Sequence, residues 1–255
     1  MTTTFLVLLF IVACLTCMVL YFYSTTTPVA EICGVMQNDD AFERSVYLKD
    51  PPFKSGQTVN VYTTDALGTG TFEKHVRDIV TEYVAPYVNL KLNFINTQTP
   101  SASGALITVT NDPSRLSSST VSGMTSTINK NKMQKAIIIR DGTPKRTVIH
   151  EFGHALGLQH EQYHPDFKVK LDLNALVERR MAGNPNLSRE VATKDVISQN
   201  FRKLDENVTG YTPLYDKDSV MLYSYAANVT TDGVKIVGGQ EFSIMDKAQL
   251  RRMYP

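Results

Sequence analysis

The stretch HEFGHALGLQH, residues 150–160, is the part of the sequence from which the rest of the chain can be interpreted. It contains three histidines, His150, His154 and His160. On a helix, residues four apart lie on one face, so His150 and His154 can point at one ion while Glu151 projects beside it. Gly157 can adopt a positive φ and end the helix, which turns the chain so that His160 approaches the same ion from a third direction.

These three imidazoles predict a catalytic Zn²⁺ site. Three protein ligands leave the fourth position of tetrahedral zinc open to water, whereas a structural site is closed by four. Glu151 is then expected to act as general base, taking a proton from the zinc-bound water and passing it to a leaving amine. By chance, His-Glu-x-x-His occurs in about one chain in two hundred of this length, and requiring Gly157 and His160 makes the pattern roughly a thousandfold rarer.

The sequence before this motif predicts a sheet covered by a long helix. Apolar residues between Thr71 and Val88 recur at three- and four-residue steps, which is the spacing of one helical face. The Ser/Thr-rich stretch 114–127 has no histidine and only uncharged oxygens, so it is interpreted as a connector without a metal site. Alternating or continuous apolar runs predict strands at 58–62, 90–95, 105–110 and 136–139.

Beyond His164 the strand patterns fade and helices are predicted. Periodic apolar residues indicate helices at Leu173–Met181 and Lys194–Leu204. A last helix is predicted to begin at Ser243, because Ser243 and Asp246 have the spacing of a capping box. The C-terminal part is therefore expected to be a smaller, mostly helical lobe.

These residues resemble the metzincin metalloproteases, whose pattern is HExxHxxGxxH followed by a Met-containing turn. Glu161 after the third histidine is similar to the astacin-like branch, and YDKDSVMLY, residues 215–223, is similar to the astacin turn S-x-M-H-Y. The resemblance covers about Val59 to Pro255. Two positions depart from it, since Leu222 stands where astacins usually have His and Leu158 where many have Phe.

The resemblance implies an α+β fold and a zinc-dependent endopeptidase that hydrolyses protein or peptide substrates. The expected catalytic domain has a twisted mixed sheet and two long helices in an upper lobe, a smaller helical lobe below, and zinc in the cleft between them. It implies that Met221 forms the hydrophobic floor under the imidazoles and that Tyr223 is a phenol that reaches the zinc. Ala105–Thr110 is expected to be an edge strand that pairs with extended substrate.

The N-terminal run Phe5–Tyr23 is apolar and uncharged, which predicts a membrane-spanning helix. Because residues 1–4 are uncharged and no good cleavage site follows, the run favours an uncleaved anchor over a secretory signal. The predicted domains are an anchor (1–23), a stalk or short pro-like segment (24–55) and the catalytic domain (56–255). Three glycosylation sequons favour a single-pass protein with a lumenal or extracellular catalytic domain, cleavage and secretion being the alternative; they are Asn186, Asn207 and Asn228.

Cysteine usage leaves one thiol outside the apolar run. Cys14 and Cys17 lie within that run, so Cys33 stands alone and no intrachain disulfide can form in the rest of the chain. The sequence around Cys33 is faintly similar to the cysteine switch of matrix metalloproteases, in which a thiolate occupies the open zinc position. The flanking Arg and Pro of that pattern are missing, and an ordinary free thiol is the alternative for this latency candidate.

The charge of the chain excludes one class of partner. The formal net charge is +1 and no Lys/Arg cluster is present, so nucleic acid binding has no electrostatic support. Two other functions stay open: a catalytically inactive metzincin-fold binding module at a membrane, and a membrane protein whose metal only stabilises the fold. Glu151 opposes the first, and the lack of a fourth protein ligand opposes the second.

Overall fold

The computed structural model describes residues 46–64, 70–96, 104–112, 126–127, 134–201 and 215–255, together with 204, 207 and 209–211. The predicted membrane helix Phe5–Tyr23 and the latency candidate Cys33 lie outside these residues, so both stay predictions. Within the described ranges, no helix is long and apolar enough to cross a membrane.

Strands and helices occur in the predicted order. Short 3₁₀ turns lie at Ala85–Tyr87, Glu161–Tyr163 and Ala227–Val229. The helices are α1 (Thr71–Tyr83), α2 (Lys145–Ala155), α3 (Leu173–Gly183), α4 (Arg189–Asn200) and α5 (Ile244–Met253). The described strands are β1 (Tyr47–Leu48), β2 (Thr58–Thr64), β3 (Lys91–Ile95), β4 (Ala105–Asn111), β5 (Ser126–Thr127), β6 (Gln134–Ile139) and β7 (Thr209–Gly210).

The main sheet has the strand order β3-β2-β4-β6-β5. Its first four strands are parallel, and the short β5 pairs antiparallel with β6, so the prediction of a mixed sheet is confirmed. The prediction that Ala105–Thr110 is an edge strand is wrong, because β4 is paired with β2 on one side and β6 on the other. Alternating burial along β4 reports which face is covered, whereas edge position depends on pairing partners that are distant in sequence.

One hydrophobic core joins the sheet to α1 and α2. The buried side of α1 includes Phe72 and Val76, at the spacing of one helical face, and α2 contributes Phe152. Both helices pack with the strand residues Val59 and Ile107, and all five side chains are fully buried. This core holds α2 against the sheet, and α2 carries the first histidines of the motif.

The C-terminal lobe has a smaller core of its own, formed where α3 packs on α4. The predicted second helix of this lobe, 194–204, is displaced: α4 starts earlier because Ser188 caps it by accepting a hydrogen bond from Val191 N (3.3 Å), and it ends before Phe201. The capping box predicted for the last helix is present, with Ser243 and Asp246 each accepting from the other's backbone N–H.

Residues 46–53 pack against the catalytic part of the chain, although the sequence predicts a stalk up to residue 55. Leu48 N donates to Gly157 O (2.9 Å), β1 pairs with β7, and Phe53 is 1% exposed within the main core. The polar, Pro-containing composition of the predicted stalk suggests a linker, but Val46 and Phe53 are buried, at 5% and 1% exposure. Residues 46–53 are therefore packed on the catalytic part of the chain, upstream of the predicted domain start at residue 56.

Phe53→Ala is expected to lower the free energy of unfolding by about 3–5 kcal/mol, because it leaves a cavity in the main core. The measurement is denaturant unfolding of the full-length protein. Phe201→Ala is the matched control, since Phe201 is 42% exposed and should lose much less. Equal losses for the two variants would show that residues 46–53 do not contribute to the core.

Candidate metal centre

The helix α2 is fixed to the end of the sheet by a tight turn. Gly142 has φ 73°, and Pro144 is the N-cap residue of α2. The backbone N–H of Asp141 donates to the Asn111 side chain at the end of β4 (3.0 Å). The parallel strand β6 leads into α2 through this turn, so the position of the strand sets the direction in which α2 presents its side chains.

The structure brings the three predicted histidine ligands together. The Nε2 atom of His160 lies 3.2 Å from Nε2 of His150 and 3.0 Å from Nε2 of His154. Among the described His, Cys, Asp and Glu side chains, these three form the group whose ligand atoms converge closely enough for a metal ion. Three Zn–N bonds of roughly 2.0–2.1 Å in tetrahedral directions place the nitrogens about 3.3 Å apart, so the spacing fits zinc.

Hydrogen bonds set which ring nitrogen is available for a metal. Nδ1 of His150 lies 2.9 Å from Val220 O, and Nδ1 of His154 lies 2.9 Å from Leu158 O. A carbonyl oxygen can only accept, so each Nδ1 carries the proton and each Nε2 offers a lone pair. The Nε2 atoms of these two histidines are therefore the ones available to bind a metal.

Desolvation keeps the histidines neutral. Burial lowers the pKa of His154 to about 4 and holds the pKa values of His150 and His160 well below the ordinary 6.5, with the neighbouring histidines as a further cause for those two. A metal ligand must be deprotonated, and here the protein already favours that form without a metal. The donor set thus fits Zn²⁺ in chemistry as well as in spacing.

Gly157 ends α2 and redirects the chain, as the sequence predicts. Its φ is 100°, and Leu158 N donates back to Gly153 O (2.9 Å). A Cβ at Gly157 would lie 2.8 Å from Met253 Cε and 3.1 Å from Pro52 Cδ, so a side chain there would displace its neighbours as well as strain the backbone.

Backbone hydrogen bonds hold both neighbours of the third histidine. Gln159 N donates to Val46 O (2.9 Å), and Glu161 N donates to Met221 O (3.1 Å). His160 is therefore positioned between the N-terminal segment and the turn that contains Met221. The carboxyl group of Glu161 also accepts from Asp216 N (2.8 Å), and burial raises its pKa to about 8.

The turn around Met221 lies directly against α2. Met221 is 1% exposed, and a Cβ at Gly153 would lie 2.6 Å from its sulfur, so the sulfur fills the space that the glycine leaves open. The preceding carbonyl, Val220 O, is the partner of His150 Nδ1. Met221 therefore contacts α2 at Gly153, and its carbonyl accepts from Glu161 N, whereas its role as a floor under the imidazoles stays a prediction.

Two residues that the sequence analysis did not assign to the site fix this turn. The Asp246 carboxylate accepts from Ser219 Oγ (2.9 Å) and from Val220 N (3.1 Å). The Arg146 guanidinium donates to Leu222 O (2.7 Å) and to Gly239 O (2.8 Å). The capping box marks Asp246 as a helix cap, but nothing in the local sequence shows that the same carboxylate also holds a turn 26 residues away.

Tyr223 lies beside the histidines. Its ring centroid is 4.3 Å from that of His160 and 6.0 Å from that of His150, and its backbone N–H donates to Gln162 Oε1 (3.3 Å). Desolvation, with a contribution from the Glu151 carboxylate, raises the pKa of Tyr223 well above its ordinary 10. The phenol therefore keeps its proton at neutral pH and can donate a hydrogen bond.

Glu151 is 1% exposed and lies on α2 one residue after the first ligand.

His164, the other histidine near the motif, lies outside the ligand group. Its Nδ1 accepts from Asp166 N (3.0 Å), and its ring packs near Tyr211 and Tyr215. The described site therefore contains three histidines, a buried carboxylate and a neutral phenol.

Comparisons with known proteins find one matching family and similar solved structures. The family model for the astacin peptidases matches residues 105–255. The chain is similar to a solved structure of myroilysin, with a TM-score of 0.61 and 28% identity over 82% of this chain and 98% of that one. A weaker likeness is to high choriolytic enzyme 1, a hatching enzyme zinc-protease from Oryzias latipes (Medaka fish), with a TM-score of 0.48 and 19% identity over 77% of this chain and 88% of that one. No curated protein matches the chain significantly.

Gly157→Ala is expected to reduce zinc retention and to destabilise the fold by about 1–3 kcal/mol, because a side chain would strain the backbone and displace the loop that presents His160. The measurements are zinc content after dialysis against a weak chelator, and thermal unfolding. Gly142→Ala is the matched control: Gly142 also has a positive φ (73°), but a Cβ there would meet nothing within 4 Å. Zinc loss that is equal in the two variants would contradict a specific role for Gly157.

Proposed function

The chain belongs to the astacin family of peptidases, and we propose that its zinc-dependent cleavage of peptide bonds uses Glu151 as general base and Tyr223 as hydrogen-bond donor. The observation that carries this proposal is the convergence of three neutral imidazoles, with His160 Nε2 3.2 Å and 3.0 Å from the other two Nε2 atoms, beside a buried carboxylate. The protein is a zinc metalloendopeptidase, and its substrates are proteins or peptides.

His150, His154 and His160 hold the zinc in this proposal. Bound zinc supplies Lewis acidity, which polarises the scissile carbonyl and makes an attacking water more acidic. The protein's own contribution is to hold three neutral donors and to offer no fourth ligand among the described residues. This leaves a position at which substrate and water can exchange.

Glu151 is the proton carrier in this proposal. It follows His150 directly on α2, so it lies in the same helical turn as the first ligand, and it is buried. We propose that the carboxylate accepts a proton from the attacking water and later donates it to the leaving amine. Burial of the side chain keeps bulk water from competing for that proton.

Tyr223 is proposed to stabilise the charge that grows on the carbonyl oxygen. Its raised pKa keeps the phenolic proton in place, and its ring lies against His160. A donor that is already positioned needs no reorganisation as the oxyanion forms. Met221 is proposed to act structurally, by holding α2 through its contact at Gly153 and the segment after His160 through its carbonyl.

Glu151→Gln is expected to keep stoichiometric zinc and to lose turnover by about 100- to 10,000-fold, because an amide cannot accept the proton of water. The measurements are the zinc content of the full-length protein and its rate of digestion of a denatured protein. Glu82→Gln, at an exposed position on α1, is the matched control and should keep wild-type turnover. Undiminished turnover in Glu151→Gln would contradict the assignment of Glu151 as the base. A wild type that holds zinc but cleaves no denatured protein would favour the alternative of a catalytically inactive binding module.

Tyr223→Phe is expected to lower kcat about a hundredfold or more, with a smaller change in KM, because the lost hydrogen bond forms mainly in the transition state. Zinc content and folding should be unchanged, since the ring and its packing remain. The matched control is Tyr225→Phe, which removes a hydrogen bond to Asn200 Oδ1 (2.8 Å) and should reduce stability while leaving kcat near wild type. A wild-type kcat in Tyr223→Phe would show that this phenol is structural.

A further inference from the structure

The peptide unit between Leu222 and Tyr223 is held by a side chain at each end. The Leu222 carbonyl oxygen accepts from Arg146 Nη2 (2.7 Å), and the Tyr223 backbone N–H donates to Gln162 Oε1 (3.3 Å). The C=O and N–H groups of a planar trans peptide point in opposite directions. Hydrogen bonds at both ends therefore limit the rotation of this plane, and with it the direction in which the Tyr223 side chain leaves the backbone.

Tyr223 depends on such side chains because it lies outside the helices and strands. No ladder of regular backbone hydrogen bonds fixes a residue in that position, so other groups must satisfy and orient its main chain. Its ring is nevertheless packed 4.3 Å from the ring of His160, measured between centroids. The arrangement of this peptide therefore decides where the phenol lies relative to the zinc ligands.

Arg146 is itself anchored, so it can define a position. It lies four residues before His150 on α2, and its Nε donates to Gly239 O (2.8 Å). Its Nη2 also lies 3.4 Å from Val220 O, the carbonyl that orients His150. The donors of a guanidinium form a rigid planar fork, so the bond from Nε to Gly239 limits where Nη2 can lie. One cation thus connects α2, the Met221 turn and the segment at Gly239.

The backbone at Gly238 closes the other side of this peptide unit. Its N–H donates to Ser224 Oγ (3.1 Å). A Cβ at Gly238 would collide with Leu222 O and would lie 2.7 Å from Arg146 Nη2. The absence of a side chain lets the two backbone segments approach closely enough for Arg146 to bridge them.

Gln162 is held as firmly at the N–H end. It is buried, and its Nε2 donates to Gln199 O at the end of α4 (3.3 Å). A carbonyl can only accept and a backbone N–H can only donate, so the amide has one orientation, with Nε2 towards Gln199 and Oε1 towards Tyr223. The C-terminal lobe therefore fixes this end of the peptide, whereas α2 fixes the other.

We propose that Arg146 and Gln162 are positioning residues for the Tyr223 phenol, which they hold where the growing oxyanion can accept its hydrogen bond. This inference rests on the proposed donor role of Tyr223 and adds the residues through which the fold sets that role. A displacement of about 1 Å in a catalytic arrangement can cost on the order of a hundredfold in rate, so holding this peptide matters for turnover. Since both residues act through Tyr223, neither should cost the zinc-loaded enzyme more turnover than Tyr223→Phe does.

The first test compares zinc-saturated, full-length variants on a peptide that wild type cleaves. Arg146→Lys keeps the charge but lacks the fork, and Gln162→Leu keeps the volume but lacks the acceptor. Each should lower kcat about tenfold with KM within about twofold of wild type, because the affected hydrogen bond forms mainly in the transition state. Arg180→Lys is the matched control: its partly buried guanidinium binds Asp195 (2.9 Å) between α3 and α4, and its loss should leave kcat near wild type.

Wild-type kcat in both Arg146→Lys and Gln162→Leu would overturn the proposal. Wild-type kcat in Arg146→Lys together with a loss in Arg146→Met would overturn the role of the fork, in favour of an effect of the charge alone. A loss of kcat in Arg180→Lys equal to that in Arg146→Lys would also overturn it, because any destabilised variant would then lose turnover.

Double variants test whether the two residues act through Tyr223. In the Tyr223→Phe background, Arg146→Lys and Gln162→Leu should each lower kcat by no more than about twofold, because the donor that they position is already gone. A full tenfold further loss would overturn the proposal. If Tyr223→Phe alone keeps wild-type kcat, the proposed donor role fails and the positioning role with it. If Tyr223→Phe loses turnover but the two positioning variants do not, only the positioning proposal fails.

A last measurement does not use turnover. Fluorotyrosine incorporated at position 223 of the full-length protein gives a fluorine NMR signal from that ring alone. Arg146→Lys and Gln162→Leu should each change its chemical shift or width, and Arg180→Lys should leave it as in wild type. An unchanged signal in both positioning variants would overturn the proposal, whatever their kcat.

Discussion

The convergence of three neutral imidazole nitrogens is the constraint on which the rest of this structure depends. His150 and His154 come from one helix, but their rings are oriented by carbonyls of two other segments, Val220 O and Leu158 O. Each carbonyl fixes a tautomer as well as a direction, so one hydrogen bond decides both where the ring lies and which nitrogen can bind a metal. The sheet, the Met221 turn and the N-terminal segment all contribute by holding those carbonyls and the loop of His160 in place.

The Met221 turn can orient the ligand His150 because two charged side chains, Asp246 and Arg146, fix the turn with several hydrogen bonds each. Asp246 accepts from Ser219 and Val220, and Arg146 donates to Leu222 O in the turn and to Gly239 O in the segment beside it. Burial raises the pKa of Asp246 and lowers that of Arg146, which shows that both side chains lose hydration in these positions. Hydrogen bonds to charged groups are worth about 1.5–3 kcal/mol each, enough to offset part of that loss and to leave the turn in a single arrangement.

The parts of the structure that follow from local spacing could be predicted from the sequence, and the parts that depend on distant pairing could not. The ligand histidines, the end of α2 at Gly157 and the capping box at Ser243 follow from patterns a few residues long. The position of β4 inside the sheet depends on which strands pair with it, and alternation of apolar residues gives no information about that. The packing of residues 46–53 is equally hidden, because their partners, such as Gly157 and β7, are distant in sequence.

The two departures from the astacin pattern lie at positions where the protein uses the main chain. Leu158 holds His154 through its carbonyl oxygen, and Leu222 accepts from Arg146 through its own carbonyl (2.7 Å). Both leucine side chains are buried, at 2% and 0% exposure, so what the fold requires of them is an apolar volume. Such a residue contributes its backbone carbonyl and an apolar volume. It can change from His or Phe to Leu without moving a ligand, because neither the hydrogen bond nor the metal site depends on polar atoms of its side chain. The same reasoning does not extend to Gly153, where the sulfur of Met221 occupies the place of a side chain. At that position the missing Cβ is itself part of the site.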